Sequence, residues 1–100
     1  MTVEEFVASL TGEAPPREAT PVLRALWLAR KGDWAGAHAL VGDLETRAAA
    51  SLHAYLHRQQ GDLDNARYWY QRAGRPAASG PLEEEWSALA AELVTGGAES

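Results

Sequence analysis

A short string recurs at an offset of 29 residues in the middle of the chain. LWLARKGDWAGAHALV (26–41) aligns with YLHRQQGDLDNARYWY (55–70), so that Gly32-Asp33 falls on Gly61-Asp62, Trp34 on Leu63 and Ala37 on Ala66. Glycine tolerates the left-handed backbone that ends a helix, and the aspartate after it caps the next one. The small alanine on the following turn lets two helix backbones approach. Each unit is therefore expected to be helix, Gly-Asp turn, helix. Such hairpins do not bury their apolar faces alone and stack on neighbours.

The flanking sequence extends the pattern. Thr2 and Glu5 fit a capping box ahead of Val3, Phe6, Val7 and Leu10, giving a first helix over 2–11 that ends at Gly12. The proline-containing loop 12–21 follows and is the segment expected to move most. Thr20 caps a helix from Pro21 to Lys31, and Asp33 caps WAGAHALVGDL, whose two glycines weaken it. A fourth helix covers Arg47–Gln60. Asp62 caps a fifth, which runs to Ala73 and stops at Gly74 and Pro76. Pro81 opens a sixth, with Leu82, Trp86, Leu89 and Leu93 in an amphipathic stripe, and TGGAES is expected to fray. The expected fold is all-α: about six helices in one domain over 1–100, with stacked repeat units at about 21–44 and 47–76. Helices at about 2–11 and 81–95 would cap the two ends. A chain of 100 residues holds one domain at most, isoleucine is absent and other β-formers are sparse, so strands are disfavoured.

The second unit resembles a tetratricopeptide-type repeat in Gly61, Ala66, Tyr70, Ala73 and Pro76. The string HAYLHR, GD, NA, YWY, RAGRP is also similar to a group of short bacterial proteins of unknown function, over roughly residues 26–94. The resemblance implies stacked helical hairpins and a protein-binding role. The chain departs from the repeat pattern in its offset, 29 against about 34, in His53 and His57 where that pattern prefers Leu and Tyr, and in having two units.

Charge and composition narrow the function. The span from Arg17 to Arg75 holds all nine basic residues against six acids, and the flanks hold the other eight acids, within a net charge of −5. Acidic ends disfavour nonspecific nucleic-acid or anionic-membrane binding. No apolar run approaches the ~20 residues of a membrane span, and MTVEEFVASL lacks the basic region of a signal peptide. The absence of cysteine excludes disulfides and thiolate chemistry and suits a reducing cytoplasm.

Residues 53–76 hold the chemistry-bearing side chains. His53 and His57 are four apart on one helix, a metal-ligand spacing to which His38 could add a third ligand. Ala54 stands where a zincin helix carries its general-base glutamate. The simpler expectation is a half-buried pair hydrogen-bonded to neighbouring helices. On the fifth helix, Leu63, Ala66, Tyr70 and Ala73 form the expected core face. Asn65, Tyr68 and Arg72 form a second ridge with Trp69 between the two, able to bind a carboxylate, a phosphate or a partner's backbone. Arg58, Arg72 and Arg75 read either as a local anion site or as a solvated face, and the latter is the simpler. Trp27, Trp34 and Trp86 fall on apolar stripes and are expected in the core. Asp33 and Asp62 are expected to be caps, and Glu83, Glu84 and Glu85 to favour a helix dipole.

The expectation is a small interaction module that binds a protein or peptide, or self-associates, through His57, Arg58, Asn65, Tyr68, Trp69 and Arg72, with no catalysis and no cofactor. The alternative is a small-ligand or metal site on His38, His53 and His57 with an arginine holding an anion.

Overall fold

The computed structural model describes residues 1–96. Six α-helices run in order: α1 Val3–Ala8, α2 Pro21–Arg30, α3 Trp34–Val41, α4 Arg47–Gln59, α5 Leu63–Ala73 and α6 Leu82–Gly96, with a 3₁₀ turn at Ser9–Thr11. There is no strand among the described residues.

The two Gly-Asp turns work identically. Gly32 and Gly61 take φ of +90° and +80°. Gly32 N–H donates to the Ala29 carbonyl and Asp33 N–H to the Leu28 carbonyl; Gly61 and Asp62 donate in the same way to Arg58 and His57. This is the paired closure that satisfies the carbonyls at a helix end. The Asp33 carboxylate then accepts from Gly36 N–H, and that of Asp62 from Asn65 N–H. One dipeptide thus ends a helix with its backbone and starts the next with its side chain. Ala37 and Ala66, both buried, sit where α3 meets α2 and α5 meets α4. Thr2 with Glu5, and Thr20, cap α1 and α2 as expected.

The hairpins α2–α3 and α4–α5 stack through α2, α3 and α4. The two end helices come together: α6 packs on α2, α4 and α1. Trp86 Nε1–H donates to the Leu26 carbonyl at 2.8 Å, and the Phe6 and Trp86 rings stack at 5.9 Å. The main core lies here, built on Phe6, Val22, Leu26, Leu52, Leu56 and Trp86.

Polar ties lock α4, α5 and α6. The Glu85 carboxylate, nearly buried, accepts from Arg58 Nη1 at 2.9 Å and from Tyr70 O–H at 2.5 Å, while Arg58 Nη2 donates to the Gly80 carbonyl. Arg75 binds both oxygens of Glu92 at 2.7–2.8 Å and donates to Ser51 Oγ. The loop before α2 is tied down too, with Lys31 Nζ donating to the Leu10 and Gly12 carbonyls and Arg24 to those of Arg17 and Ala19.

The observed elements differ from expectation in places. α3 ends at Val41, before Gly42-Asp43-Leu44, and α6 continues through Thr95 and Gly96, which were expected to fray. The rest of that expected tail, 97–100, lies outside the described residues. Leu63 is 54% exposed and does not belong to the core face of α5. Its repeat counterpart, Trp34, reaches across to the next hairpin, whereas α6, next after α5, packs against α2, α4 and α1.

Candidate functional site

α3 and α5 both pack against α4, and the side chains between them form a continuous aromatic strip. Trp34 stacks on His38 at 4.8 Å, and its indole N–H donates to the Leu56 carbonyl at 2.7 Å. His38 meets His53 edge-on at 4.9 Å, and His53 stacks face to face on Trp69 at 4.0 Å. Trp69 meets Tyr68 edge-on at 5.2 Å. The Arg72 guanidinium lies 5.5 Å from the Trp69 ring centre and 5.9 Å from that of Tyr68, and donates to Tyr68 O–H at 3.2 Å. The helical spacing of Tyr68, Trp69 and Arg72 places a cation over two rings.

The strip has a buried floor and an exposed rim. His53 is 3% exposed and His57 8%, whereas Tyr68 is 50% exposed and Trp69 half-buried. His57 therefore does not share the open ridge assigned to it from the sequence. It lies inside, edge-on to Trp34 at 5.9 Å and to His38 at 5.7 Å. Nor are the two buried imidazoles hydrogen-bonded to neighbouring helices at Nδ1: both Nδ1 atoms lack a partner. Burial, then the neighbours His38 and His57, push the His53 imidazole down to about 4. Burial and His57 also lower His38. An imidazolium loses hydration here with no carboxylate among the groups acting on His53, so the neutral ring is the stable one.

The three histidines converge as rings, but among the described residues no group of three His, Cys, Asp or Glu is disposed to hold a metal ion. Arg58, Arg72 and Arg75 do not form a common anion site either. Arg58 is engaged by Glu85 and Arg75 by Glu92. Arg58 thereby belongs to the lock between α4 and α6 and not to the ridge. Asn65 is exposed, its side-chain amide directed to Asp62 at 3.4 Å. The ridge that remains is Tyr68, Trp69 and Arg72.

Glu85 stands in the sequence only as a first-turn charge, and its role between Arg58 and Tyr70 appears only in the fold. The available signal was the match in polarity between Glu85 and the two donors Arg58 and Tyr70, and spacing does not encode that proximity. Burial and the Glu85 hydrogen bond hold the Tyr70 phenol above its ordinary value. An open hollow of about 540 Å³ beside the first Gly-Asp turn is lined by Asp33, Trp34 and Gln59, and the Gln59 Oε1 atom is buried without a partner.

No protein-family model, curated protein or solved structure matches this chain. Among the described residues no helix is long and apolar enough to cross a membrane.

Proposed function

We propose that the chain is a small, cytoplasmic, tetratricopeptide-like interaction module that binds a protein or peptide on the α5 side of the aromatic strip. The observation that carries this reading is the arrangement of Tyr68, Trp69 and Arg72. A half-exposed tyrosine and a half-buried tryptophan hold one guanidinium across their faces. Tyrosine, tryptophan and arginine are the residues that dominate binding energy at protein interfaces. Their rings present large, rigid area with few torsions to freeze. Trp27 and Trp86, by contrast, are buried and hydrogen-bonded to Ser9 and Leu26, as structural tryptophans are. Self-association through the same ridge belongs to this reading.

The test compares the parent with Tyr68→Ala and Arg72→Ala by sedimentation and by affinity recovery of partners. Loss of a recovered partner, or a shift in oligomeric state, in both variants is expected. If state and partners are unchanged in both, the ridge is not the binding surface and the reading falls.

A further inference from the structure

Charge is distributed unevenly along the ridge. At the start of α5 stand Asp62 and Asp64, the latter paired with Arg67. At its end, around Gly74, stand Arg72 and Arg75, with Arg47 of α4 alongside: the Arg47 guanidinium carbon lies 4.0 Å from where a Cβ on Gly74 would sit. Of these three only Arg75 is paired, with Glu92. Arg72 and Arg47 have no carboxylate within ion-pair distance among the described residues. Arg72 is moreover restrained by the two rings beneath it and by the Tyr68 hydroxyl. A guanidinium already held in place loses less side-chain entropy when its planar fork meets a carboxylate.

Resting on the reading above, we infer that the partner is an acidic linear segment that sets an aromatic or large aliphatic side chain on Tyr68 and Trp69 and a carboxylate on Arg72. Its acids lie toward Gly74 and away from Asp62 and Asp64, because like charges would face each other in the opposite orientation. Arg47 adds long-range attraction at the same end, so the association weakens with salt.

The test is a display selection of random twelve-residue peptides on the full chain, with counter-selection on the Tyr68→Ala, Arg72→Gln double variant. Both positions are exposed, and melting curves verify that the variant is folded; if it is not, Arg72→Gln alone serves. Selected peptides are then titrated by fluorescence anisotropy. The expected result is enrichment of Asp or Glu next to Phe, Trp, Tyr or Leu, binding weakened at least tenfold by Arg72→Gln, and a further loss when salt is raised. Peptides that depend on Tyr68 but carry no acids would overturn this inference while leaving the module intact. If nothing is enriched over the double variant, the inference and the module reading fall together for linear partners.

Discussion

The sharpest consequence of the buried imidazoles concerns acid stability. His53 titrates at about 4 in the fold and near the ordinary 6.5 when unfolded. Between those values the unfolded chain binds a proton that the native protein refuses. Stability from the neutral ring is therefore complete above about pH 6.5 and is lost progressively as pH falls toward about 4. The total is about 3 kcal/mol, of which about 2 kcal/mol is gone at about pH 5. His38, lowered for the same reason, acts in the same direction. The groups that act on His53 are His38 from α3 and His57 from its own helix; from α5 comes Trp69, with Arg72 above it, and none supplies a negative charge. For a domain of this size each kcal/mol moves the melting midpoint by about 4–8 °C, so the parent should melt about 8–16 °C lower at about pH 5 than at about pH 7.5. His53→Phe keeps a flat ring between His38 and Trp69 but cannot be protonated, and its midpoint should fall much less. Circular dichroism melts at a series of pH values read this directly. A parent midpoint that is flat over that interval, or a His53→Phe variant with the same slope as the parent, would refute the argument.

Three further outcomes follow from the packing. Glu85→Gln strands the Arg58 charge in a nearly buried place and should cost about 3 kcal/mol by denaturant titration, while Arg58→Met with Glu85→Leu should recover much of it; a single-variant loss under about 1 kcal/mol contradicts the lock. Gly61→Ala forces a Cβ onto a backbone at φ +80° and should cost about 1–2 kcal/mol by the same titration, although no atom lies within 4 Å of the added group. Tyr68→Ala should change stability by no more than about 0.5 kcal/mol, whereas Trp69→Ala removes the stack on His53 and should cost about 2 kcal/mol or more. Equal losses at the two positions would mean that Tyr68 is part of the core.

What could be read from the sequence was what local chemistry decides. The Gly-Asp turns, the threonine and aspartate caps and the paired hairpins are set by residues within a few positions of one another, so their spacing announces them. The stripe on α6 was visible for the same reason, as was the burial of Trp86. Which helix α6 lies against was not, because that depends on how crossing angles and loop lengths combine over the whole chain. Three misplacements trace to it or to the same kind of cause. Leu63 falls on the helical stripe of Ala66, Tyr70 and Ala73, the expected core face, but α6 does not shelter it. Glu85 reads in the sequence only as a dipole charge, because Arg58 and Tyr70 are 27 and 15 residues away. His57, four residues from His53 on one helix, carries nothing in its spacing that shows Trp34 arriving from another helix to cover it. At the candidate site, the Tyr68, Trp69 and Arg72 spacing survived intact because all three sit on one helix.

The bond from Trp86 to Leu26 spans 60 residues. During synthesis, α2 and α3 leave the ribosome with the lipophilic side of α2 uncovered, and α4 with α5 shields only part of it. At about 5–20 residues per second the nascent chain waits several seconds for α6 to emerge. Completion of the core thus waits on α6, and a ribosome stalled between the second hairpin and α6 would display a sticky intermediate suited to chaperone capture.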